Sequence, residues 1–202
     1  MSDSRYGFYL RPSYPMCRAL AEVHDLLARQ YGLRVAGKFM PHATIKGFFR
    51  TNAASAELID RLDRALAGQT AFPVWNHGAV PYQRHAIVLD FQGDAKRELN
   101  QPLQALHEAA LLALLPIVQL DCEFTPGEAL HERFPPHLTL AMSDIPPHIF
   151  GEILQFVRDA GPIGPLFFVA DTVQLVRFQS DDWSGPWWKS LQWEILHGWR
   201  LP

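Results

Sequence analysis

Four side chains carry the chemistry suggested by this chain: His42 and Thr44 in the phrase Pro41-His42-Ala43-Thr44-Ile45, and His137 and Thr139 in Pro136-His137-Leu138-Thr139-Leu140. The two histidines are 95 residues apart. Each phrase lies in an apolar stretch, and residues i and i+2 of a β-strand point to the same face, so each offers an imidazole beside a hydroxyl. Brought together, the two copies would surround one small anion with two acid/base groups and two hydroxyl donors. A neutral imidazole accepts a proton at physiological pH, and its protonated form donates one. A pair in opposite protonation states supplies the general base and the general acid of one reaction. Phosphodiester cleavage needs both, one to activate the attacking oxygen and one to protonate the leaving oxygen. Thr44 and Thr139 would hold the non-bridging phosphate oxygens. This scheme calls for no metal and no cofactor.

With nine His and six Thr in 202 residues, a His-x-Thr triplet is expected roughly 0.3 times by chance, so a single copy would carry little weight. Two copies, each preceded by Pro and followed by Ile or Leu, argue against two unrelated strands with solvent-facing His and Thr.

The elements around the phrases repeat as well. Residues 6–10 read as a strand, 16–30 as a helix, 38–49 as the first phrase strand with a bend at Gly47, 55–67 as a helix capped by Ser55, and 72–76 as a strand. A second round follows: a strand over 86–91, a long helix from an Asp94 cap to about 115, the second phrase strand over 136–142, a helix over 147–159, and strands over 167–178 and 191–196. The chain thus reads as one α+β domain of two similar lobes. The first covers about 1–80, with C-terminal elements able to cross back to it, and the second about 81–202. The phrases then face one another across a central cleft, the kind of place ligands favour.

The composition narrows the partners. A formal net charge of −3 provides no basic field for gripping a long duplex nucleic acid, while a small or terminal phosphate needs only a local positive pocket. Cys17 and Cys122 have no close Cys neighbour, which is neither a disulfide framework nor a CxxC motif. The opening residues lack a secretory signal, and no apolar run reaches the roughly 20 residues of a membrane span. A cytoplasmic protein with no membrane partner is expected, and a monomer. His131-Glu132 followed by His137 does not have the spacing of a helix-borne HExxH motif, and no Walker loop, Rossmann fingerprint or Gly-x-Ser-x-Gly elbow is present.

Paired His-x-Thr phrases, one in each half of a chain of about this length, resemble the 2H phosphoesterase superfamily, nearest its 2′-5′ RNA ligase-like and cyclic phosphodiesterase members. The resemblance implies a bilobal pseudo-symmetric fold of two antiparallel-sheet lobes with outer helices. It also implies metal-independent hydrolysis of a 2′,3′-cyclic phosphate or related 2′-linked phosphodiester of a nucleotide or RNA end. His42 and His137 become the acid/base pair, with His42 the acid and His137 the base as in some members, and Thr44 and Thr139 the phosphate-binding hydroxyls. Many relatives carry Arg shortly after the second phrase, where this chain has Ala141-Met142.

Positive charge at the phosphate would then come from Lys46, two residues beyond Thr44 and on the same face of a regular strand, or from Arg11 or Arg133. Tyr9, Phe49, Tyr82 and Trp183 are candidates for stacking on a base, while Trp187, Trp188, Trp193 and Trp199 read as packing residues of a hairpin. Two other functions remain open: a nucleotide or RNA-end binding protein without turnover, and 2′-5′ RNA end joining on the same site.

Overall fold

The chain builds one run of elements twice. In the first, strand β1 (Arg5–Leu10) leads to helix α1 (Tyr14–Tyr31), strand β2 (Ala43–Phe49), helix α2 (Ser55–Leu66) and strands β3 (Phe72–Trp75) and β4 (Ala79–Tyr82). In the second, β5 (Ala86–Asp90) leads to α3 (Gln101–Leu114), β6 (His137–Met142), α4 (Phe150–Asp159), β7 (Phe167–Ala170) and β8 (Thr172–Gln179), with β9 (Gln192–Arg200) added at the end. The structure is a computed structural model and describes residues 4–83, 85–119 and 135–202. Arg133, Cys122 and His131-Glu132 lie outside those residues.

Seven strands form one sheet in the order β4-β5-β6-β2-β1-β8-β9, and β3 and β7 pair separately as a ribbon. All the pairings are antiparallel. Each run hands its last strand to the other: β4 pairs with β5, which opens the second run, and β8 pairs with β1, which opens the first. The two phrase strands, β2 and β6, end up side by side at the centre, joined at the pair Ala43 and Leu138. The α+β class with antiparallel strands is as the sequence led us to expect.

Local chemistry accounts for the bounds. Pro15 occupies the first turn of α1, where its missing N–H costs nothing, and Gly32 closes the helix in the left-handed region at φ 74°. Helix α3 starts later than expected. Asn100 caps it by accepting from the Leu103 N–H, whereas Asp94 turns the preceding loop by accepting from the N–H groups of Lys96 and Glu98. Ser55 is the first residue of α2 and not its cap. The stretch over 167–178 is two strands in different sheets, broken at Asp171.

Phe8, Leu10, Ile45, Phe49, Leu89 and Leu138 are fully buried in the main core, with Leu103 and Leu106 of α3 in the same cluster. Each such side chain contributes about 1.5–3 kcal/mol by leaving water. That burial holds the seam between β2 and β6 in register. Among the described residues no helix is long and apolar enough to cross a membrane.

Candidate active site

The pairing of Ala43 with Leu138 determines the site. Continued one residue each way in an antiparallel register, it sets His42 opposite Thr139 and Thr44 opposite His137. Residues opposite one another in a sheet project to the same side. The four side chains therefore form a square with its histidines on one diagonal and its threonines on the other.

Both imidazoles are pinned in the same way. The Nδ1–H of His42 donates to the Met40 carbonyl at 2.7 Å, and the Nδ1–H of His137 donates to the Pro135 carbonyl at 2.6 Å. In each case the acceptor is the residue before the shared proline. Proline brings no backbone donor of its own and holds the residue before it extended. A carbonyl can only accept, so each Nδ1 carries the proton and each Nε2 of a neutral ring presents its lone pair.

Beside the square lies a cavity of about 280 Å³. Its lining includes His42, Thr44 and Thr139, and its apolar walls come from Tyr9, Phe39, Met40, Phe48, Met142 and Trp187. His137 is not in that lining; its place in the square comes from the register against Thr44. The Tyr9 ring meets His42 edge-on at 4.6 Å, and the Tyr82 ring lies 4.5 Å from that of His137.

Cavity residues that the sequence did not mark as site members include His24 and Trp187. His24 of α1 lines the cavity, and its Nε2–H donates to the Thr139 carbonyl at 3.0 Å. Trp187, read as hairpin packing, is a cavity wall. After the second phrase, Met142 lines the cavity and Ala141 is buried.

Burial pushes the His42 imidazole down to about 4; its bond to Met40 opposes this, and the neighbouring His137 and His24 add repulsion. Burial also lowers His137, opposed by its bond to Pro135 and by the carboxylate of Asp90. His24 is lowered by burial, against its bond to Thr139. Burial thus keeps these rings neutral with their lone pairs available but makes them weaker bases, and a bound anion would favour a proton on one of them.

Several expected members are elsewhere. The β1–β2 register slips by one residue between the pairs Phe8–Lys46 and Tyr9–Thr44, so Lys46 does not continue the face of Thr44. It is buried, with its ammonium 5.5 Å from the ring of Phe49. Phe49 itself belongs to the main core and packs on Tyr6. Trp183 is buried behind the cavity wall, against Phe48 and Trp187 and beneath the Arg5 guanidinium. Arg11 reaches Thr172, donating to its Oγ1 at 3.2 Å. Of the four aromatic candidates, Tyr9 and Tyr82 stand against the histidines. Among the described residues, no three His, Cys, Asp or Glu side chains are grouped to hold a metal ion.

The same architecture occurs in solved structures. TT0787 of Thermus thermophilus superposes with a TM-score of 0.66 at 16% identity, over 98% of this chain and 97% of that one. E. coli LigT in complex with phosphate gives 0.56 at 15% identity, over 100% and 99%. The LigT complex with 3′-AMP gives 0.54 at 14% identity, over 98% of each chain. At such identities the likeness is one of fold. No curated protein sequence matches. The family model of the 2′-5′ RNA ligase superfamily matches residues 12–182.

Proposed function

The chain belongs to the 2′-5′ RNA ligase superfamily, and within it we propose a metal-independent phosphodiesterase that hydrolyses a 2′,3′-cyclic phosphate, or a related 2′-linked phosphodiester, of a nucleotide or RNA end. The crossed register of the two phrases is the observation that carries this reading, because it opposes each histidine to the other phrase's threonine. A phosphate seated on the square has one imidazole Nε2 on the side of the attacking water and the other on the side of the leaving ribose oxygen. One accepts a proton and the other donates one, in line through phosphorus. The hydroxyls of Thr44 and Thr139 donate to the non-bridging oxygens, where negative charge is held through the transition state.

The cavity suits the rest of the substrate. Its aromatic and methionine walls can receive a flat base by stacking. That E. coli LigT has been seen with phosphate and with 3′-AMP supports a small nucleotide as ligand. The test is a panel of nucleoside 2′,3′-cyclic phosphates, 2′-5′ and 3′-5′ dinucleotides and cyclic-phosphate RNA ends, incubated in EDTA, with the product phosphate located by phosphorus NMR. Cleavage of a 2′-linked bond in EDTA, with 3′-5′ bonds left intact, is the expected result. Tight binding with every ligand recovered unchanged would favour a binding protein instead.

A further inference from the structure

Asp90 breaks the symmetry of the site. It is paired with His137 in the β5–β6 register, so the two side chains share a face of the sheet, with Cβ atoms about 5 Å apart. Its Oδ1 accepts from the Gln92 N–H at 2.9 Å, which anchors the carboxylate at the strand end. In the first run, the β1–β2 register ends at Leu10 and Ala43, and the residue that follows β1, in the place corresponding to Asp90, is Arg11, whose guanidinium reaches Thr172 instead. One half thus has a carboxylate beside its histidine, and the other half has no carboxylate at the matching position.

Asp90 also lines a small cavity with His77 and Arg97, so those two groups face it from beyond the strand end. His137 faces Tyr82 of β4, Asp90 of β5 and His42 beyond the seam. His42 faces Tyr9 of β1, His24 of α1 and His137 of β6. Among the described residues, the carboxylate in this set stands on the side of His137.

We propose that Asp90 sets the direction of proton transfer, so that His137 holds the proton and serves as general acid while His42 serves as general base. This rests on the phosphodiesterase reading above. In the step, the His42 Nε2 takes a proton from the attacking water as the water oxygen bonds to phosphorus. The bond from phosphorus to one ribose oxygen breaks, its electron pair goes to that oxygen, and the oxygen takes the proton from His137 Nε2. The two histidines finish with exchanged protonation states, which exchange with solvent resets. These roles are the reverse of those implied by resemblance alone. Asp90 acts through His137 and touches no reacting atom, so it is a positioning residue.

The test needs no substrate. Titration of the full chain carrying ¹³C-labelled histidine, followed by NMR, gives the midpoints of His42 and His137 separately. The expected result is that His137 titrates above His42. Asp90→Asn should lower the His137 midpoint by about one pH unit and leave that of His42 in place, and Asp90→Glu should restore it. An unmoved His137 midpoint in Asp90→Asn, or a His42 midpoint above that of His137, would overturn the role of Asp90. In the pH profile of kcat, Asp90→Asn should move the alkaline limb to lower pH and spare the acid limb; movement of the acid limb alone would overturn it as well. Failure of the whole substrate panel would contradict the phosphodiesterase reading, whereas an unmoved midpoint contradicts the role of Asp90 even with hydrolysis intact.

Discussion

Ala43 faces Leu138 across the seam between the two phrase strands, and neither side chain does chemistry. Both are fully buried, and this apolar pair fixes which polar residues meet on either side of it. A slip of one residue would turn each phrase to the opposite face. The site therefore depends on the packing beneath it as much as on its own four residues.

The threonines should matter through their hydroxyls. Thr44→Val and Thr139→Val keep the shape and lose the donor, and each should lower kcat by about 100-fold with little change in Tm. Thr→Ser at either position should recover most of the rate. Steady-state kinetics with thermal melts checks both statements.

His24 should act on rate through Thr139. Its ring donates to the carbonyl of that residue, so His24→Ala leaves a carbonyl without this partner and should cost about 1–3 kcal/mol of stability. The accompanying loss should fall on kcat more than on KM, because the Thr139 hydroxyl is displaced while the base cavity keeps its aromatic walls. His24→Gln, with an amide able to donate, should recover part of both.

Trp187 should set affinity for the base. Stacking is worth about 1–3 kcal/mol per base, so Trp187→Ala should raise KM for nucleoside cyclic phosphates by about 5- to 150-fold. Hydrolysis of a cyclic phosphate without a base, such as glycerol cyclic phosphate, should change far less. The ratio of kcat/KM for the two substrates is the readout.

Stability should begin to fall on acidification at a pH above the range in which ordinary carboxylates titrate. The folded protein holds His42 neutral down to about pH 4, whereas the unfolded chain binds a proton near 6.5. The contribution is complete above about pH 6.5 and is lost as pH falls from there to about 4, since the unfolded state takes up the proton first. The slope is at most about 1.4 kcal/mol per pH unit for each such group. His24 and His137 act in the same direction. Denaturant melts from pH 7 to pH 4.5 should show this decline, and His42→Asn should flatten it.

The legible part of the site was what depends on short-range pattern. The two phrases, the strands that continue from them and the i, i+2 spacing of His and Thr follow from local alternation, although β2 starts only at Ala43, after His42 and not at 38 as expected. The proline in each phrase was a shared letter in the sequence, and the structure explains it by the carbonyl it leaves to the imidazole. What escaped depended on partners far along the chain. The register slip in β2 that turns Lys46 away from Thr44 is a property of the β1–β2 pair, so extrapolating a regular strand misplaced it. His24 and Trp187 reach the cavity only through the packing of α1 and of the segment before β9. The break at Asp171 sends β8 across to β1, which alternation within 167–178 does not reveal.

In the proposed reaction the two phrases act as one unit, each histidine supplying half of the proton transfer. This is tested most directly by the rate of 2′,3′-cyclic AMP hydrolysis in EDTA for the unmodified chain, His42→Ala, His137→Ala and the double variant, each confirmed as folded by its melt. Groups that act as a unit are strongly non-additive. Each single variant should lose about 1,000-fold or more, and the double should show no substantial further loss. Full activity in either single variant, or single losses that multiply in the double, would contradict this joint action.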